Sequence, residues 1–560
     1  MNILGISCFY HDSAAALMQN GQVVAAVEEE RFTRKKHTSD FPRKSVEYCL
    51  ESAGLKINDI DYIGFYELPE VKFDRLISTH MHFFPKSYEQ FEPFAATWFS
   101  RNMRMEQILR EELKYEKELV FVDHHLAHAA SAFIPSPFEK AAILTIDGVG
   151  EWTTTAWGLG EGNSVELHNE IKFPDSLGLL YSAITSYLGF KVNSGEGKLM
   201  GLTSYGKPTY RDKFNELIEI RDDGSFKLNL DYFKFHTSLE MFNEKFDNLF
   251  KCRREPESEI KPEHENLACS LQIVVEEAIL KMVRHIHKET GLKTLCMGGG
   301  VTLNSVTNGK ILKETPIKDI FIQPAANDAG SSLGCALYIN SCILGDKTRW
   351  KMNAYLGHEA TRDEVGEYLK TTDLKYREVD EETLVEEVAR MVADNKIVGW
   401  YQGRMEFGPR ALGNRTILAN ACHPEMKDIL NRRVKFREVF RPYAASVLEE
   451  KLGDYFDNDY TSPFMLLVYN VLENKKDVIP SVTHVDGTCR VQSITPEYNP
   501  RYYKLIKKFY DITGVPMILN TSFNIRGEPI VRDVKEAVNC FLGNDMDALA
   551  VDRFILIKER

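Results

Sequence analysis

Three of the chain's fifteen histidines fall within five residues, in VDHHLAHAASAF, Val122 to Phe133. The run ELVFVD before them reads as a short apolar strand ending at Asp123, which can cap the helix that follows. On that helix His124 and His128 are four apart and share a face. That is the spacing with which a helix offers two imidazoles to one metal ion. It also suits a pair of hydrogen-bonded core histidines. Two acids could complete a ligand set: Asp147, which ends the apolar run AAILTID, and Asp328, at a helix start in AANDAG. Each could equally be a turn or cap residue. Imidazoles with carboxylates suit a divalent transition metal better than calcium or magnesium.

A second group of residues suits anions. Between Tyr401 and Arg441 there are nine basic residues (Arg404, Arg410, Arg415, Lys427, Arg432, Arg433, Lys435, Arg437, Arg441) against four acids. A solvated helix face would also look like this. The segment GRMEFGPRALGNR, Gly403 to Arg415, sets three arginines and three glycines around a proline. Guanidinium forks beside glycine amides suit phosphate or carboxylate. Further on come VKFREVFRPYA, then HVDGTCRVQ with His484, Asp486 and Arg490, then ILNTSFNIRGEPI with Asn520, Ser522 and Asn524. Several such groups in separate loops imply one shared pocket. Gly298, Gly299 and Gly300 follow the strand TLC, and let a backbone approach a nucleotide or simply turn tightly.

The elements that must position these residues repeat. ILGISC, SAAALMQ, an Asn20-Gly21 turn and VVAAVEEE are echoed by AAILTIDGVG, TTTAWGLG, a Gly162-Asn163 turn and SVELHNEI. The spacing of roughly 140 residues implies a duplicated α/β unit. The predicted fold is α/β, with two ribonuclease-H-like halves of the actin-like ATPase superfamily. Residues from about Phe41 to Lys117 read as amphipathic helix. Domain limits are expected at 1–345 for this unit, 346–390 for a junction, and 391–560 for a second α/β domain.

Composition excludes other classes. At 560 residues the chain is long enough for roughly three or four domain-sized units. A net charge of −13 argues against bulk nucleic-acid binding. No window approaches the ~20 apolar residues of a membrane span, and the first residues read as a strand and not a leader. Ten scattered cysteines without a CxxC pattern fit a reducing compartment, hence a cytoplasmic location.

Taken in order, SAAALM, VVAAVEEERFTRKKH, HHLAHAASAF, GEGKLMGLTSYGKP, GRMEFGPRALGNRTILA, FRPYAASV, HVDGTCRVQ and NTSFNIRGEPIV resemble the O-carbamoyltransferases of antibiotic biosynthesis and nodulation-factor decoration, over nearly the whole chain. The resemblance implies an N-terminal domain similar to the metal-dependent subunit that transfers threonylcarbamoyl to tRNA. It implies a C-terminal domain similar to the synthase of threonylcarbamoyl-adenylate.

The chemistry so implied uses ATP with Mg²⁺, carbamoyl phosphate and a small-molecule hydroxyl acceptor. Arg410, Lys435, Arg441, Arg490, Asn520 and Ser522 would bind carbamoyl phosphate, with Arg441 and Lys435 catalytic. Gly298 to Gly300, Asn304, Arg415 and His484 would bind nucleotide, and His124, His128, Asp147 and Asp328 would hold Fe(II) or a similar metal. His11, in FYHDSAAA, is the candidate base for the acceptor, or an ordinary loop histidine. A homodimer is expected from the resemblance alone, and no nucleic-acid or membrane partner. The competing readings are a threonylcarbamoyl-type tRNA-modifying enzyme, a small-molecule kinase or ATPase of the actin-like superfamily, and a nucleotide-binding sensor without turnover. The segments 67–110 and 221–265 are left to build the acceptor cleft.

Overall fold

In the computed structural model, residues 1–558 are described; the last two positions of the expected C-terminal domain lie outside them. The chain divides into two compact units, one of Met1–Ala26 with Ser39–Met352, the other of Val27–Thr38 with Asn353–Arg560.

The N-terminal unit carries the duplication. Its first sheet pairs the strands Asn2–Ser7, Ala14–Gln19 and Gln22–Glu28 as a meander, then adds Tyr62–Phe65 and Glu118–Phe121 parallel to Asn2–Ser7. The second repeats this order: Lys140–Ile146, Thr153–Glu161 and Ser164–Lys172 form the meander, while Thr294–Gly298 and Asp319–Ile322 extend it in parallel. Two sheets of one topology are the ribonuclease-H-like halves expected from the repeat. Tyr62–Phe65 interrupts the stretch read as wholly helical. Its four residues are too few to show a strand period against the amphipathic helices Arg43–Ser52 and Pro69–Phe83 on either side.

Between the sheets pack two helices, His124–Phe133 and Asp328–Tyr338, the latter also against the strand Asn2–Ser7. Close approach is set by Gly334, where a Cβ would lie 1.9 Å from the Ala127 carbonyl oxygen. This contact brings the start of one helix beside the histidines of the other.

The C-terminal unit is built on a nine-stranded mixed sheet. Its centre runs Val398–Tyr401, Arg415–Ala419, Met517–Ser522, Ala444–Leu448 and Thr488–Ile494. The unit starts at Asn353, so most of the expected junction belongs to it, including the helices Arg362–Lys370 and Glu381–Ala393. It also takes in Val27–Thr38 from near the N-terminus. There Glu28 and Arg31 are ion-paired and buried; Gly408 N–H donates to Glu28 at 2.9 Å and Arg31 donates to the Gly408 carbonyl at 2.8 Å. An expectation of residues 1–345 as one unbroken domain missed this exchange, because a charged turn such as EEERFTR reads as local surface. Among the described residues no helix is long and apolar enough to cross a membrane. All ten cysteines are free thiols.

Candidate functional site

The N-terminal site forms where the two packed helices begin. Asp123 caps its helix, its side chain accepting from the Leu126 amide at 3.0 Å, as its place after an apolar strand implied. His124 Nε2 and His128 Nε2 then lie 3.0 and 3.3 Å from the same oxygen, Asp147 Oδ2. Asp328 Oδ1 stands 3.7 and 3.8 Å from the two nitrogens. Each of the four residues offers one ligand atom within 4.8 Å of the others, and all four are buried. Both Asp328 oxygens are out of water contact and lack a hydrogen-bond partner. A buried carboxylate without a donor is costly, and a cation among these nitrogens and oxygens would relieve that cost, so the residues fit a divalent metal.

The electrostatics follow from the geometry. Burial pushes the Asp328 carboxyl up. Burial alone would raise Asp147 as well, yet the hydrogen bonds from His124 and His128 hold it well below the usual range. His11 Nδ1 is 3.0 Å from Asp12 and 3.7 Å from Asp328, and against burial these acids push its ring up to about 10. His125 is structural: its ring lies 2.7 Å from the Thr145 hydroxyl and 3.0 Å from the Thr153 carbonyl, and burial holds it neutral.

The triple glycine packs onto this site. At Gly299, with φ +91°, a Cβ would sit 2.3 Å from the Ile146 carbonyl oxygen, and the Gly300 amide donates to Asp147 Oδ1 at 3.3 Å. Asn304 caps the next helix, its Oδ1 accepting from Thr307 N and from Gln272 Nε2 and its Nδ2 donating to Gln272 Oε1. Its oxygen is thus already occupied by two donors.

The C-terminal site gathers guanidinium groups. Arg490 has Arg410, Arg437 and Arg441 as its charged neighbours. Burial lowers Arg410 and Arg441, each to about 10, and burial with the like charges beside it holds Arg490 well below the usual guanidinium range. The Nε atoms of Arg410 and Arg490 are buried without a hydrogen-bond partner. Asn520, 1% exposed, donates through Nδ2 to the Ala411 carbonyl, Ser446 Oγ and Gln492 Oε1, and its Oδ1 is buried and unpaired. The loop over them is pinned by Glu406, whose Oε1 accepts from the amides of Leu412, Asn414 and Arg415. The ring of His484 lies 3.2 Å from the Tyr443 carbonyl, and burial lowers it to about 4.

Residues 2–337 match the family model for the carbamoyltransferase N-terminus, and residues 389–558 that for the carbamoyltransferase C-terminus. The chain belongs to the carbamoyltransferase family. It is 45% identical to uncharacterised protein sll1178 of Synechocystis over all of its own length and 97% of that protein's. It is 38% identical to nodulation protein NolNO of Sinorhizobium fredii over 99% of this chain and 79% of that one. Nodulation protein U of Rhizobium tropici is 29% identical over 100% of this chain and 96% of its own.

In this carbamoyltransferase three anion-site expectations need correction. Arg415 is not available to a nucleotide: it is fully buried, stacked 3.6 Å from the Tyr401 ring centroid, and donates to the carbonyls of Gln402, Gly403, Asn414 and His358. Lys435 positions a loop, its ammonium donating to the Ser522 carbonyl and to the carbonyl and side chain of Asn524. Ser522 Oγ gives its proton to Asn524 Oδ1 at 2.7 Å. A buried cation or hydroxyl satisfies itself with whatever backbone is nearest, and sequence does not say which.

Ser331 and Glu151 carried no sequence signal beyond proximity, and Arg437 was legible only as one of the nine basic residues between Tyr401 and Arg441. Ser331, one turn after Asp328, lies 3.2 Å from His128 Nδ1 and orients that ring. Glu151, four residues after Asp147, accepts from the His124 and Leu68 amides, and burial pushes its carboxyl up to about 7. Arg437 stacks on Tyr443 beside the other arginines.

Proposed function

We propose that this carbamoyltransferase makes carbamoyl-adenylate from carbamoyl phosphate and ATP in its C-terminal unit, and transfers the carbamoyl group to a hydroxyl in its N-terminal unit. The observation that carries the reading is the pairing of Arg410, Arg437, Arg441 and Arg490 with the unpaired carbonyl of Asn520. Carbamoyl phosphate is an anion at one end and an amide at the other. The guanidinium groups suit its phosphoryl oxygens, and an amide oxygen with no donor suits its NH₂.

Carbamoyl phosphate is first cleaved by water to phosphate and carbamate, with the arginines holding the phosphoryl oxygens. A carbamate oxygen then attacks the α-phosphorus of ATP, and the bond to the β-phosphate breaks to release pyrophosphate. In the N-terminal unit, His124, His128, Asp147 and Asp328 would hold a divalent transition metal, with iron(II) the expectation from the resemblance. Such an ion supplies Lewis-acid polarisation when bound. Ser331 orients His128 and Glu151 fixes the start of the His124 helix, so both imidazoles are held before substrate arrives.

The test is pyrophosphate release from ATP and Mg²⁺ with and without carbamoyl phosphate, in wild type and Arg441→Ala. Release that requires carbamoyl phosphate and falls at least a hundredfold in the variant is expected. Hydrolysis to ADP and phosphate that ignores carbamoyl phosphate would overturn the reading in favour of a kinase or ATPase.

A further inference from the structure

A cavity of about 310 Å³ opens in the N-terminal unit beside the four-residue cluster. Its lining includes Tyr10, next to His11, and Val149, two residues after Asp147. The remaining walls come largely from the helices Pro69–Phe83 and Tyr88–Ser100 and from the turn around Phe235 to Met241. These are the stretches whose sequence matched no motif.

The lining is aromatic and cationic. Phe9, Phe91, Phe94, Trp98, Phe173 and Phe235 supply the apolar wall. Lys72, Arg75 and Arg101 supply positive charge, and among the described lining residues there is no carboxylate. Lys72 is paired with Glu67 at 2.5 Å. Arg75 is different. It is 8% exposed, donates once to the Gly150 carbonyl at 2.8 Å, lies 5.3 Å from the Phe173 ring centroid, and makes no ion pair among the described residues. Glu67, already paired with Lys72, and Glu151 attract it only from beyond ion-pair distance. A buried guanidinium with no carboxylate in contact is expensive to maintain, and an anionic group on a ligand would supply one.

We propose, building on the carbamoyl-transfer reading, that this cavity receives the acceptor, a hydroxylated compound with one ring-sized apolar or aromatic part and a negative charge. A polycationic amino sugar fits neither the size nor the sign of the site. In the transfer, the acceptor oxygen bonds to the carbamoyl carbon of carbamoyl-adenylate, the bond from that carbon to the phosphate oxygen breaks, AMP leaves with the electron pair, and the hydroxyl proton is released.

The experiment uses 3-phenyllactate, its neutral analogue 3-phenyl-1,2-propanediol, and kanamycin as probes of the full chain, by equilibrium dialysis without ATP or carbamoyl phosphate. Phenyllactate is expected to bind at least tenfold tighter than the diol, with no binding of kanamycin. Arg75→Gln should erase the preference for the acid, and Leu76→Trp, which fills the cavity, should abolish binding of both aromatic probes. Kanamycin binding as tight as phenyllactate, or phenyllactate binding indifferent to Leu76→Trp, overturns the proposal. Because these measurements need no adenylation, loss of carbamoyl-phosphate-dependent pyrophosphate release in wild type counts against the underlying reading and not against the cavity.

Discussion

Arg490 and Asn520 each stand directly opposite Ala444 on the strand between them. Residues paired in this way project to the same face of a sheet. The guanidinium and the amide are thus rooted two strand spacings apart, roughly 10 Å, with only a methyl group between. The polar network of Ser446 and Gln492 fixes the amide so that its nitrogen is satisfied and its oxygen is not.

Asn520→Ala should therefore act on one substrate. Losing a buried acceptor costs about 1–3 kcal/mol of binding, which is roughly a fivefold to 150-fold rise in KM for carbamoyl phosphate. KM for ATP should move less than threefold. Steady-state pyrophosphate release with each substrate varied in turn checks this, and equal rises in both constants would show that the substitution merely loosened the sheet.

For the proposed metal site at His124, His128, Asp147 and Asp328, orientation should matter as well as ligation. Asp328→Ala should abolish stoichiometric binding of a divalent transition metal. Ser331→Ala, which removes only the partner of His128 Nδ1, should weaken affinity about tenfold, the lower end for losing such a support. Metal content after dialysis against graded chelator separates the two, and an unchanged affinity in Ser331→Ala would assign that serine to packing.

The two sites were legible to different degrees. His124 and His128 could be found because a helix of 3.6 residues per turn makes a four-residue spacing meaningful. Asp147 and Asp328 were legible as strand and helix ends, and the duplicated topology followed from two hairpin turns in equivalent places. Arginine density marked the second site but not its membership: Arg415 and Lys435 lie within the basic stretch, yet their protons go to backbone carbonyls, while Arg437 joins the cluster. Sequence gives charge, and tertiary structure decides which charges find partners. The exchange of Val27–Thr38 into the C-terminal unit was illegible for a related reason, since nothing local to EEERFTR names Gly408 as its neighbour.

That exchange makes a prediction of its own. Arg31→Ala would leave the Glu28 carboxylate buried with backbone amides, Gly408 among them, but no cation. Breaking a buried pair from one side costs about 3–5 kcal/mol. A substitution near the N-terminus should thus destabilise the C-terminal unit, with faster hydrogen exchange in the peptides around 403–415, and Arg31→Lys should restore part of the protection. Protection unchanged at 403–415 would mean that Glu28 adapts without its partner.

Acidification should weaken the C-terminal unit through its buried neutral histidines. His358 is lowered to about 4 by burial and by Arg415 and Arg532, and His484 to about 4 by burial above all. Both are neutral when folded and take up a proton at about pH 6.5 when unfolded. The unfolded chain therefore binds more protons between these values, so stability is full above pH 6.5 and falls as pH drops toward 4. The carboxyls of Glu28, Glu449 and Glu536, raised by burial, act in the opposite sense as pH falls, so the histidine contribution is read from a variant and not from wild type alone. His358→Gln cannot be protonated, so its melting temperature should fall less than that of wild type between pH 7.5 and 5. Parallel losses in the two proteins would show that His358 is not held neutral by the fold.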